Sequence, residues 1–583
     1  MRLRRRFLQV GSRRVHYLRA GGGPPAVMVH SSPANAWFLR PEIERLSRDY
    51  TVFAFDTPGF GLSQALPLED MLVADLADAL DETLTAIGMP PCPVFGSHSG
   101  AAIALEFGVR HPERVTGLVL DGVPAFSDAE CAALFEDYFH KFPVSDLGGH
   151  YSDVWTRFRD QAAWFPWSAR APQSLNGYDL SRPDATHLWV SMYFEAADTY
   201  IPAYRAASHY GARALAAAAE LDRPAIYTAT DTDMLFPHLA RLPPLKPGQE
   251  IRRIGTSLPA KHDLIAEGFA RFGSPHPPPD DCDGVGDAAA VARQFLDGED
   301  GRQVHIRYAG RRAHPAVLLL HDGPGSAEAF EPLMAALSDR YFVIAPDLPG
   351  AGESDPFQGG PPALGQFAGE AAWLLQALGA PPAQVYGLGF GASVAVELGR
   401  SRPDLVAGVV LGGLLAADAL ERARLAADYT PDIAVEPDGA HWYRTWLMLR
   451  DGLVWWPWYD RRQAAQRAAA GDFGAARLHR RTMDVMRRRE TYGHLAQAAL
   501  GFDAMAALAS LRVPVCRLSG APTPLDAFDG WLATHAPQLP ARPAGVGAGE
   551  ADALAKAFDH LHLLAKTTEG LSCEPPRAHS PSA

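Results

Sequence analysis

The stretch Gly96-Ser97-His98-Ser99-Gly100 has the frame G-x-S-x-G with a histidine where the serine would stand. On a strained strand-to-helix turn such a frame exposes its central side chain for attack on a substrate. An imidazole at that place has three possible uses. It could be a nucleophile that forms an acyl-imidazole. It could be a hydrogen-bond donor or acid-base partner in a reaction with no covalent intermediate. Or the turn could be retired from chemistry. The dipole of the following helix disfavours imidazolium, so a neutral ring is expected. Sliding the frame by one residue makes Ser99 the nucleophile instead, flanked by the small residues Ser97 and Ala101.

The second half of the chain bears on that choice. His30, Asp56, Pro112 and Trp164 recur as His321, Asp347, Pro403 and Trp455, each 291 residues further on. A constant offset over so long a span means two copies of one whole domain. In this register His98 corresponds to Gly389, and both lie the same distance before the shared proline. The offset therefore favours His98 over Ser99, and neither copy has a serine at the centre of its turn.

At 583 residues the chain exceeds one hydrophobic core. Hydrophobic and charged contents of 47% and 21% are those of a soluble globular protein. A net charge of −14 argues against a nucleic-acid partner. The basic cluster Arg2 to Arg6 is not followed by the apolar run of a secretory signal, and no apolar stretch has membrane-spanning length. Cys92, Cys131, Cys282, Cys516 and Cys573 are scattered, which fits a reducing cytoplasm without disulfides or metal-ligand spacing. Neither a metal nor any other cofactor is expected. The oligomeric state is left open.

In the first copy, Ala26–Val29, Val52–Phe55, Pro93–Phe95 and Gly117–Leu120 are short apolar runs ending in turn residues, the pattern of parallel strands buried on both faces. Helical stretches at Leu72–Ile87 and Ala101–Arg110 alternate with them. The fold class is therefore α/β: two tandem domains, each a mostly parallel doubly wound sheet with ligands expected at the carboxyl ends of its strands. From about Ser127 to Leu221 the strand pattern gives way to an aromatic, helical segment that reads as a cap. The boundaries expected are a domain over 1–272 with its cap at about 127–221, a Pro/Asp/Gly-rich linker over 273–288, a second domain over 289–566 and a disordered tail over 567–583.

These motifs resemble the cap-bearing α/β-hydrolase superfamily, epoxide hydrolase and haloalkane dehalogenase-like, over nearly the whole chain, twice. His30-Ser31-Ser32-Pro33 is similar to its oxyanion-hole loop, Asp56-Thr-Pro-Gly-Phe-Gly61 with Ser63 to its D-x-P-G-x-G-x-S turn, and His111-Pro-Glu-Arg-Val115 to the segment after its nucleophile helix. The first copy also resembles a subgroup with a G-S-H-T-G-like elbow. The resemblance implies Asp233 and His262 as acid and base, the carboxylate orienting the imidazole. His262 is expected just before a helix over Leu264–Phe272. The resemblance further implies that Ser32 and Ser99 donate the backbone N–H groups of an oxyanion hole. His30 is read as bracing that loop.

In the cap, Trp155, Trp164 and Trp167 recur in the second copy and read as cap core or as the lining of an apolar substrate pocket. Arg159-Asp160 reads as an ion pair. The second copy has Gly389 at the nucleophile position, Thr523 against Asp233 and Ala551 against His262, so it is expected to be non-catalytic. The function expected is hydrolysis of an ester or related acyl bond of a small apolar substrate by the first domain. The alternatives are a non-catalytic tandem scaffold and a lyase or proton-transfer enzyme.

Overall fold

The computed structural model describes residues 2–571, apart from 177–178, 283, 381, 468–470, 522 and 545–547. It divides into two compact units, Met1–Asp283 with Val435–Tyr443, and Gly284–Ala434 with Arg444–Ala583.

The first unit is built on an eight-stranded sheet. Its strands are β1 (Arg4–Val10), β2 (Arg13–Ala20), β3 (Pro25–Val29), β4 (Thr51–Phe55), β5 (Cys92–Ser97), β6 (Val115–Asp121), β7 (Ala225–Ala229) and β8 (Gln249–Arg253). They lie in the order β1-β2-β4-β3-β5-β6-β7-β8. From β4 to β8 all neighbours run parallel, and β2 runs against both β1 and β4. Every residue of β3, β4 and β5 is buried, which is why these runs carry no polar face. On one face the helices Arg40–Leu46 and Leu258–Phe272 close the core, Ile43, Leu46, Leu264, Ile265 and Phe269 packing on Met28, Ala54, Phe95, Val119 and Ile226.

The register sets the site. Val29 pairs with Gly96, Gly96 with Leu120, and Asp121 with Thr228, so β3, β5, β6 and β7 end level with one another. Whatever follows those strands meets at one edge of the sheet. Between β6 and β7 the cap contributes five helices: Asp128–Phe135, His150–Ala163, Pro183–Ala196, Tyr200–Ser208 and Gly211–Glu220.

The second unit repeats this. Its strands are β9 (Ala288–Asp297), β10 (Gln303–Gly310), β11 (Ala316–Leu320), β12 (Phe342–Pro346), β13 (Ala383–Leu388), β14 (Val406–Gly412), β15 (Val515–Ser519) and β16 (Ala541–Pro543), in the same spatial order. The expected fold class, two mostly parallel capped sheets in tandem, is what the chain adopts.

Three boundaries differ from expectation. β9 begins at Ala288, inside the stretch read as linker. The last helix runs to Leu571, into the stretch read as a disordered tail, whose remainder (572–583) lies outside the described residues. The helix read as Leu264–Phe272 starts at Leu258, because the Ser257 hydroxyl caps Ala260 N–H and Pro259 occupies its first turn. Lys261 and His262 are thus helical residues, not loop residues. No helix among the described residues is long and apolar enough to cross a membrane. Arg4, Arg6 and Arg19 of the basic amino-terminal segment converge on the carboxylate of Asp281.

Candidate active site

The turn from β5 into the helix Ser99–Arg110 pivots on His98, with φ 51° and ψ −112°. Among the described residues it is the one non-glycine with positive φ. That conformation costs an L-residue on the order of 1–3 kcal/mol and persists only where the surroundings enforce it. Gly389 holds the matching conformation, φ 58° and ψ −123°. The neighbours must be small: a Cβ on Gly96 would sit 2.2 Å from Gly100 O, and one on Gly100 would sit 2.3 Å from Val29 O. The sharp turn is centred on His98, one residue before Ser99.

His98 Nε2 lies 2.7 Å from Asp233 Oδ2. Asp233 follows β7, and its other oxygen accepts Leu235 N–H at 2.8 Å, so the carboxylate is held at both ends. Burial alone would raise the Asp233 pKa; the His98 charge and hydrogen bond, with Leu235 N–H and Lys261, outweigh it and bring the group down to about 2. Burial likewise disfavours a charged His98. Asp233, by charge and hydrogen bond, and then Asp121 overcome that, so His98 titrates above the ordinary histidine value although Lys261 opposes the shift. The helix dipole, which favours the neutral ring, is thus outweighed in its effect on the pKa. A carboxylate at hydrogen-bond distance is a stronger influence than the partial charge of a helix end. With Asp233 ionised, Nε2–H donates to it, and Nδ1 is the nitrogen left to accept a proton.

His262 does not join this pair. Its Nε2 lies 3.5 Å from Glu42 Oε1 instead. The helix that begins at Leu258 turns His262 about 100° away from its neighbour Lys261, and it is Lys261 that faces the strand ends. Lys261 Nζ is 2.8 Å from Asp121 Oδ2 and 3.8 Å from Glu42 Oε1. Burial works against this ammonium, but Asp121, Glu42 and Asp233 hold its pKa above the ordinary lysine value. Sequence reasoning missed Lys261, Asp121 and Glu42 as a group. The signal that could have found them is Ser257-Leu-Pro259, a capping pattern that starts the helix early.

Ser99 and Ser32 form a closed pair. Ser32 N–H donates to Ser99 Oγ at 2.6 Å, and the Ser99 hydroxyl donates to Ser32 Oγ at 2.9 Å. The Ser32 amide assigned to the oxyanion hole is thus taken up by a side chain. Ser99 as an alternative nucleophile has no imidazole among its partners. Two donors remain: the Ser32 hydroxyl proton, and Ser99 N–H in the first turn of its helix, where amides lack helical acceptors. His30 accepts Thr57 N–H at Nε2 (2.9 Å), and its Nδ1 lies 3.0 Å from Ser31 O, tying the oxyanion loop to the Asp56 turn.

His98, Ser32 and Ser99 line a small, partly open cavity whose walls include Phe126, Phe135, Phe165, Tyr204, Met234 and Leu235. Trp155, Trp164 and Trp167 are not among its lining. Trp155 is buried, and Trp167 Nε1 donates to Tyr138 O inside the cap. Trp164 is extended and bridges Leu175, and successive residues of an extended segment face opposite ways, so its neighbour Phe165 reaches the cavity instead. Asp160 pairs with Arg170 at 2.7 Å, not with Arg159. Among the described residues no group of His, Cys, Asp and Glu could hold a metal ion.

The second unit's turn is filled by its own chain. Asp322 Oδ1 accepts Gly323 N–H at 2.8 Å and Phe390 N–H at 2.9 Å, the counterparts of the Ser32 and Ser99 amides. Asp322 Oδ2 accepts the Thr523 hydroxyl at 2.8 Å. A Cβ on Gly389 would fall 2.1 Å from the Asp322 carboxylate. The carboxylate stands where a side chain at the elbow would have to be.

A family model described as alpha/beta hydrolase fold matches residues 24–246 and 315–445. Proline iminopeptidase of Arabidopsis thaliana is 30% identical over 145 residues, 24% of this chain and 34% of that protein. Epoxide hydrolase 3 of Xenopus tropicalis is 30% identical over 141 residues, 24% of this chain and 37% of its own. (E)-2-((N-methylformamido)methylene)succinate hydrolase of Acinetobacter baylyi is 34% identical over 115 residues, 19% and 43% of the two chains. The chain spans about a third to two-fifths of the length of these curated relatives.

Proposed function

The chain belongs to the alpha/beta hydrolase fold family, and from that membership we propose that its first unit hydrolyses an ester or related acyl bond of a small, largely apolar substrate through His98, without a serine nucleophile. The observation that carries this reading is the 2.7 Å contact of His98 Nε2 with Asp233, at the floor of an aromatic cavity. The neutral ring takes a proton from water at Nδ1 as the water adds to the carbonyl carbon. Asp233 stabilises the imidazolium so formed, which then gives its proton to the departing alkoxide. Ser99 N–H and the Ser32 hydroxyl face the oxygen that becomes negative. Lys261 neutralises Asp121 beneath the elbow and keeps that charge from competing with Asp233 for the ring. The partner is a small molecule, and the reaction as written needs no cofactor.

The second unit is non-catalytic in this reading. What supports it is the Asp322 carboxylate in the place of both nucleophile and oxyanion.

A proton-transfer or lyase reaction is the second reading, favoured by the presence of one imidazole where serine hydrolysis needs a nucleophile and a base. A panel of small aryl and alkyl esters tests the first reading. Turnover is expected, with loss in H98A and D233N and no labelling by a fluorophosphonate probe. Labelling at Ser99, or undiminished turnover in H98A, would refute it.

A further inference from the structure

The second unit has a small, partly open pocket of its own, between its cap and the loops that carry Pro324 and Pro524. The walls are mostly apolar and aromatic: Tyr429, Met448, Leu449, Trp458 and Tyr492, with Pro324 and Pro524. One cation faces it, Arg481 from the cap helix Ala475–Arg487. The hydrogen bond of Arg481 to protein is a long one, Nη2 to Pro324 O at 3.4 Å. Among the described residues no carboxylate forms an ion pair with it. Burial pushes its pKa down from the ordinary arginine value, and the Asp322 charge pulls the other way. Arg481 is only half-buried, so its guanidinium keeps donors that a ligand in the pocket can take up in place of water.

Two further facts give the site a polar end. Thr430, on the same wall, accepts Gln497 Nε2–H at 3.0 Å and so keeps its hydroxyl proton to donate. Across this helix the offset is 292, as the matching hydrogen bonds of Thr199 to Gly59 O and of Thr491 to Gly350 O show, so Arg481 answers to Trp189 and the charge is peculiar to this copy. A planar fork of donors at one end of an aromatic cavity recognises a planar acceptor with an apolar body. We propose that the second unit is a binding site for a small organic monocarboxylate, a single-ring or short-chain acid, whose carboxylate sits on Arg481 and Thr430 and whose body lies against Trp458 and Tyr429. Asp322 already fills the amide pair below, so the ligand is held and not turned over.

Titration calorimetry of the full chain with benzoate, and with neutral benzamide as its isostere, reads the proposal. Saturable binding of benzoate at one site is expected, with benzamide at least about tenfold weaker. R481Q should weaken benzoate at least about tenfold, while H98A should leave it unchanged. Should R481Q not fold, R481K keeps the charge without the fork and is expected to bind at reduced affinity. Crystals soaked in 4-bromobenzoate then locate the bromine directly. Equal binding by R481Q, loss of binding in H98A, tighter binding of inorganic phosphate, or bromine outside the Trp458 cavity would each overturn the proposal.

Discussion

An imidazole whose Nε2 is committed to a carboxylate does its chemistry at Nδ1, and only when that nitrogen is unprotonated. Because Asp233 and Asp121 raise the His98 pKa despite burial, the rate is expected to climb with pH through a value above 6.5. In D233N the limb should move to lower pH while the plateau falls by about 100-fold or more, which a kcat–pH profile will read. Stability follows the same pair. The raised pKa of His98 makes its contribution complete below 6.5 and lost as pH rises through the folded value. The pKa of Asp233, lowered to about 2, makes its contribution present above 3.8 and lost as pH falls through about 2. The pair therefore stabilises most between pH 3.8 and 6.5. Melting temperatures of H98Q and the parent should differ more at pH 5.5 than at pH 9. His262 contacts Glu42 and stands outside the pair, so H262A should keep turnover within about threefold.

The helix Leu258–Phe272 decides which side chain reaches the strand ends. Its early start turns Lys261 onto Asp121 and His262 onto Glu42. Replacing Lys261 by Met leaves Asp121 buried without its cation, and a loss of about 3–5 kcal/mol is expected by urea denaturation. S257A removes the cap and should cost about 1 kcal/mol, with some fall in activity as the turn bearing Lys261 frays. The strands were easier to read than this helix. A run such as Ala26–Val29 is apolar throughout because both its faces are covered. Ser257 and Pro259 follow Gly255-Thr256 and look like loop until they are recognised as a capped first turn.

Each unit has its own sheet and core, so unfolding is not expected to be one transition. K261M should displace the transition belonging to the first unit alone, which calorimetry will resolve. The closed turn of the second unit makes the complementary prediction. Gly389→Ala sets a Cβ against the Asp322 carboxylate and should destabilise that unit by about 1–3 kcal/mol. In the D322A background the same change should cost less, a non-additivity that reports the contact. D322A itself should leave ester turnover within about twofold.

The doubled α/β architecture and the correspondence of His98 with Gly389 were legible in the linear chain. They are written in local patterns, the apolar runs and a constant offset of 291, and such patterns survive without knowledge of contacts. Contacts at the site were not legible. The partner of Asp233, the occupant of the Ser32 amide, the choice of Phe165 over its tryptophan neighbours and the Asp322 plug all depend on which atoms meet in space. A helix that begins a few residues early, or a side chain on the opposite face of an extended segment, changes those meetings without changing any motif. Tertiary structure alone brings the ends of β3, β5, β6 and β7 level, and that alignment turns distant residues into one site.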